Sequence, residues 1–107
     1  MEKDPHKAVD FIITHAPKYA QAKANRVHIE NYLRVVKSEL MLTQDEGTQG
    51  IKEAYAYSNP HYKQQLDALK IATEEEERIK YLIEAAKLRV EIFKVEEYTK
   101  RTEMKNL

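Results

Sequence analysis

The sequence predicts an all-α fold: a long antiparallel, coiled-coil-like helical hairpin with a short N-terminal helix ahead of it. Three observations point there. The 107 residues include only two glycines and three prolines, while the helix formers Lys, Glu, Ala and Leu are plentiful. Over two long stretches the apolar residues recur at alternating spacings of three and four, the period of a helix that packs along one seam. Both glycines fall inside residues 44–50, between those stretches, so the chain has one natural place to reverse. One helical domain spanning residues 1–107 is expected, near the lower size limit for an independent core.

The first helix is expected over 4–15. Asp4 followed by Pro5 reads as an N-cap and first helical position, because proline lacks only a donor that would go unpaired there. Ala8, Val9, Phe11, Ile12 and Ile13 give it apolar surface, and Ala16-Pro17 is read as its end. As a short helix capping the bundle it has something to bury; a mobile amphipathic arm is the alternative.

A second helix is expected over 17–43. Tyr19, Ala22, Arg26, Ile29, Leu33, Val36 and Leu40 form its seam, with Arg26 the one polar interruption. Ala20, Ala24, Val27, Val35 and Leu42 mark a weaker second stripe. Glu30 and Arg34 stand one turn apart and can pair. Residues 44–50 then form the loop, and a short helix is expected over 51–57.

Asn59-Pro60 repeats the cap-and-proline signal and opens the long helix, expected over 60–104. At about 100° per residue, Ile79, Leu82, Ile83, Ala86, Val90 and Phe93 share one face. Tyr81, Ala85, Leu88, Ile92 and Val95 share the nearly opposite face. Tyr62, Leu66 and Leu69 lie in a different strip, so a register shift is expected across Ile71–Glu77. The run Glu74-Glu75-Glu76-Glu77 reads as solvated charge, with Glu74–Arg78 and Glu76–Lys80 as pairs within the helix.

Two apolar faces on one helix require two neighbours. Leaving the second face in water would expose an apolar strip that soluble monomers avoid. Tyr81, Ala85, Leu88, Ile92 and Val95 are therefore the expected oligomer interface, and a homodimer forming a four-helix bundle is the favoured assembly. A different protein could cover the same strip.

Composition narrows the function classes. Lysine plus arginine equals aspartate plus glutamate at 18 each, which disfavours a globally basic nucleic-acid binder. Without cysteine there are no disulfides or thiolate metal sites, as fits a reducing cytoplasm. No apolar run approaches the roughly 20 residues of a membrane helix, and the first five residues do not read as a signal peptide. A cytoplasmic, soluble protein with no membrane partner is expected.

Chemistry-bearing patterns are scarce. No Glu-x-x-His motif of the di-iron bundles occurs, and there is neither a Gly-x-Ser-x-Gly elbow nor a phosphate-binding loop. His6 and Asp10 share a helix face without further ligands, His28 and Glu30 do not share one, and His15 reads as a surface or capping histidine. No metal, no cofactor, no catalytic residue and no enzymatic activity are expected. Tyr55, Tyr57 and Tyr62 read as packing residues around the turn. Lys18, Lys23, Arg26, Arg34 and Lys37 make the second helix locally positive, with Tyr19 and Tyr32 interleaved. They are the candidate contacts for single-stranded nucleic acid.

The stretch Glu53-Ala54-Tyr55-Ala56-Tyr57-Ser58-Asn59-Pro60-His61-Tyr62 resembles a recurring stretch in small helical proteins of tailed phages. Tyr19-Ala20-Gln21-Ala22-Lys23-Ala24, Tyr32-Leu33, Lys37–Met41 and Ala85–Glu91 extend the resemblance along nearly the whole chain. The family often carries Trp-Arg where this chain has Phe93-Lys94. The resemblance implies a phage accessory protein in DNA recombination or replication, working in the host cytoplasm, and brings no catalytic residues. The expected function is thus a non-enzymatic protein that acts through coiled-coil protein–protein contacts. The alternatives are a single-strand nucleic-acid accessory using the second helix, or an inhibitor of a host enzyme or defence complex.

Overall fold

The computed structural model describes residues 4–106. Among them the chain forms three helices and no strand: α1 (Pro5–Leu42), α2 (Gln49–Ser58) and α3 (Pro60–Lys105). The all-α fold is as expected, and the short and long helices after the loop begin and end within two residues of the expected bounds.

The exception is α1, one helix of 38 residues where two were expected. Pro17 lies inside it, with no break at Ala16-Pro17. A proline there removes the bond to the Ile13 carbonyl and crowds it. The cost is tolerated because Ile13 and Pro17 are both exposed. On the solvent side of a helix, water can take the missing donor's place and a bend is accommodated. The preceding turn is also tied: the His15 ring stacks on Phe11 at 3.8 Å, and its Nδ1 lies 2.9 Å from the Phe11 carbonyl oxygen. That contact requires the proton on Nδ1, since a carbonyl only accepts. His15 is thus a half-buried packing residue.

Contacts divide the molecule into two units: Gln21–Glu76, and a second built from the residues before 21 and after 76. Within Gln21–Glu76, Tyr32 meets His61 edge-on, while Arg26 meets Glu76. Numbers that fall along α1 pair with numbers that rise along α3, so the two helices are antiparallel. Along α1, Leu33 and Val36 are buried and Tyr19, Ala22, Arg26, Ile29 and Leu40 are half-buried, which is the expected seam in full. The second stripe, Ala20, Ala24, Val27, Val35 and Leu42, is exposed.

On α3 the burial pattern overturns the expected register shift. Tyr62, Gln65, Leu69, Ala72, Glu76, Ile79, Ile83, Ala86, Val90 and Phe93 are all covered and alternate three and four, with Ala68, Glu77 and Lys80 half-buried beside them and Glu97 one step beyond. Leu66 is exposed and stands outside the seam. The seam crosses the glutamate run through a small residue, Ala72, and a charged one, Glu76, both buried. Glu76 is therefore a core residue and not part of a solvated run.

The turn is held by short-range bonds. Thr43 returns both its amide and its hydroxyl to the Leu40 carbonyl, capping the end of α1. Thr48 caps α2, accepting from the Ile51 amide at 3.3 Å. Gly47 has φ +114°, and a Cβ there would come within 3.2 Å of the Ile51 side chain. Both facts call for glycine. Asn59 ends α2 and starts α3, its Oδ1 accepting from the His61 amide at 2.9 Å.

Candidate functional site

Two features stand out, one in each unit: a charged layer within the seam, and an exposed apolar stripe on α3.

The charged layer belongs to Gln21–Glu76. Arg26 donates from Nε to Glu76 Oε2 at 2.6 Å and from Nη2 to Oε1 at 3.0 Å, a two-pronged pairing of guanidinium and carboxylate. Its Nη1 donates to Glu30 at 3.0 Å. The single polar interruption of the α1 seam thus faces the buried charged residue of the α3 seam. The Glu76 hydrogen bond, with Glu30 assisting and burial opposing, holds the Arg26 guanidinium protonated more firmly than a free arginine. Glu30 gives its carboxylate to Arg26, where pairing with Arg34 was expected. In coiled coils a polar residue in the seam specifies register at some cost in stability, and two such residues meeting each other is the arrangement that does so.

Near the turn, Lys37 lies 4.8 Å over the ring of Tyr57 and 3.8 Å from Glu53. Tyr57 in turn meets Tyr62 edge-on at 5.3 Å. Contact with the Tyr57 hydroxyl raises the Lys37 pKa above the ordinary lysine value; burial opposes this and Glu53 adds to it. These contacts pin α2 to the end of α1. Tyr62 is half-buried against the Tyr57 ring as expected, while Tyr57 and Tyr55 are both exposed.

The other unit carries the stripe. Tyr81, Ala85, Leu88, Ile92 and Val95 are all exposed, Leu88 and Val95 by more than three-fifths. The opposite face, Ile79, Ile83 and Ala86, is buried, while Leu82 is partly open. Beside the stripe lies a groove of about 390 Å³, whose apolar lining comes from Ala8 and Phe11 of α1 and from Leu82, Ala85 and Ala86 of α3. Ala85 belongs to both groove and stripe.

Two of the five basic residues proposed for nucleic acid are engaged within the fold. Arg26 is engaged by two carboxylates and Lys37 by Glu53 and Tyr57. At about 100° per residue, Lys23, Arg26, Arg34 and Lys37 fall within about 80° of one another around α1. Tyr19 is half-buried in the seam, and Tyr32 is in contact with His28 and His61. Sequence reasoning missed the pairing of Arg26 with Glu76. The signal that could have found it was the seam spacing itself, extended through Ala72 and Glu76.

Compared with models of protein families, with curated proteins and with solved structures, this chain matches none. The functional reading therefore rests on geometry. Among the described residues no group of three or more His, Asp or Glu side chains could hold a metal ion, and no helix is long and apolar enough to cross a membrane.

Proposed function

We propose that this chain is a non-enzymatic helical hairpin that acts through protein–protein contacts, and that its partner at the α3 stripe is a second copy of itself, giving a four-helix bundle. The observation that carries the reading is the exposure of Tyr81, Ala85, Leu88, Ile92 and Val95 together on one face. Five such side chains offer on the order of 500 Å² per chain, so two copies come to roughly 1,000 Å², the lower bound for a specific interface. Flanking charges at Lys80, Glu84, Lys87, Glu91 and Lys94 give the stripe the polar rim of an interface.

The resemblance of Glu53–Tyr62 to tailed-phage proteins supports an accessory role in DNA recombination or replication in the host cytoplasm. Light scattering tests the central reading. The protein should have the mass of a dimer, and Leu88→Glu with Ile92→Glu should reduce it to a monomer or a destabilised species. An unchanged mass and melting curve in that double variant would sink the proposal.

A further inference from the structure

We infer that the groove between the first turns of α1 and the middle of α3 is completed by a second copy of this chain, whose α3 crosses antiparallel over Ala85 and sets Leu88 into the groove's mouth. This rests on the self-association proposed above. It adds a direction, a crossing point and a part for the start of α1.

Side-chain size sets the direction. In a parallel pair of identical helices each seam residue faces its own copy. Ala85 would then face Ala85, leaving that layer underfilled beside a groove already open. In an antiparallel pair, the two kinds of seam position face each other. Ala85 then meets Leu88 of the second copy, and Tyr81 meets Ile92, so the central layers combine a smaller with a larger side chain, while Val95 lies at the end of the overlap opposite Arg78. Close packing without voids favours that arrangement.

Position sets the crossing point. Ala85 is the residue shared by the stripe and the groove. Its small side chain lets a second helix approach closely there. A leucine laid over it reaches the apolar lining made by Phe11, Ala8 and Leu82. The cost of exposing that lining is removed by the same contact that covers the stripe.

Charge does not choose between the directions. The strip Lys80, Glu84, Lys87, Glu91, Lys94 alternates in sign, and in an antiparallel pair it lies against its own copy. The shift that layers Ala85 on Leu88 brings Lys80 near Glu91 and Glu84 near Lys87 of the second copy, but sets Glu84 equally near Glu91 and Lys87 near its own copy, so size and position, not charge, fix the direction.

The chain has neither cysteine nor tryptophan, so single introduced residues report cleanly. An equal mixture of Tyr81→Cys and Ile92→Cys chains, oxidised gently, should give the mixed disulfide dimer, while Tyr81→Cys alone should stay uncrosslinked. Self-crosslinking of Tyr81→Cys in a protein that light scattering shows to be a dimer would overturn the antiparallel arrangement and leave self-association standing. A monomer at all concentrations would overturn both. Phe11→Trp places one indole in the groove. Its emission should shift to the blue on dimerisation, and lose that shift on dilution or with Leu88→Glu. An emission maximum that is the same in dimer and monomer would remove the groove from the interface. A polarity-sensitive fluorophore on Lys7→Cys, at the groove's rim, gives the same reading if the indole disturbs the packing.

Discussion

Arg26 and Glu76 join across fifty residues of sequence, the guanidinium Nε 2.6 Å from one carboxylate oxygen and Nη2 3.0 Å from the other. The Glu76 side chain is 6% exposed and that of Arg26 23%. Removing one partner of such a pair strands the other, which costs more than the pair contributes. Arg26→Met should lower the melting temperature by on the order of 10 °C, because the Glu76 carboxylate is left covered without its donor. Replacing both residues, Arg26→Leu with Glu76→Leu, should recover most of the loss, since an apolar layer carries no desolvation cost. The double variant should also sample more than one register or mass by native mass spectrometry. A double variant as unstable as the single one, and uniform in mass, would contradict this account.

Val36 is 1% exposed, and its neighbour Val35 is 47% exposed. The two differ only in which side of α1 they occupy. Val36→Ala should cost about 2 kcal/mol, combining lost burial with a cavity in the seam. Val35→Ala should stay within about 0.5 kcal/mol, as surface changes do. Urea denaturation of both variants checks the seam directly. Equal losses would mean that α1 packs on a different face.

The seam of α1 was readable from its sequence because apolar residues recur at every third or fourth position along it. That of α3 was readable only in its upper half. Ala72 and Glu76 carry no apolar signal, so the period seemed to stop where it in fact continues beneath a charge. Glu76 could not be told from Glu74 and Glu75 by residue type; its burial is decided by Arg26, fifty positions away. Pro17 misled in the opposite sense. Its ring predicts a helix end, and whether an interior proline is tolerated depends on its facing solvent, which spacing does not reveal without the seam. The α3 stripe was legible for the converse reason: five apolar residues on one face need no partner to be recognised. The groove beside it joins two distant segments and leaves no local trace.

Lys37 links α1 to α2 through Tyr57 and Glu53. Its folded pKa is raised above the unfolded value. A raised pKa means that the folded state holds the proton more tightly, so the stabilisation is fully present below the unfolded lysine pKa and is lost as pH rises through the folded one. The docking of α2 should therefore be flat through neutral pH and weaken only in strongly alkaline solution. Lys37→Met should remove that alkaline step. Amide exchange over Gln49–Ser58, followed against pH in both proteins, reads the difference. An alkaline step of the same size in the variant would assign it to another group.

Asn59 separates α2 from α3 with a side-chain bond to the His61 amide at 2.9 Å. Asn59→Ala should cost about 1 kcal/mol by leaving a donor of the first turn unpaired, whereas Asn59→Asp should retain the cap. Thermal melts of the two variants decide this: equal melting points would show that the cap contributes nothing.

Pro17 supplies the sharpest test of α1 as a single helix. Inside a continuous helix, proline forfeits the bond to the Ile13 carbonyl and crowds that oxygen, a cost of about 3 kcal/mol at most sites. The exposed position softens it, and proline returns part through its stiffer unfolded chain, roughly 0.4–1 kcal/mol. Pro17→Ala should therefore stabilise the protein by about 1–2 kcal/mol, with the far-ultraviolet circular dichroism almost unchanged because the residues are already helical. If Ala16-Pro17 instead ended one helix and began another, the alanine would create helix where there was none. The ellipticity at 222 nm would then rise together with stability. Pro17→Gly separates the two effects further: it restores the amide donor while adding backbone freedom, and should lie below Pro17→Ala by about 1 kcal/mol, the difference between glycine and alanine inside a helix.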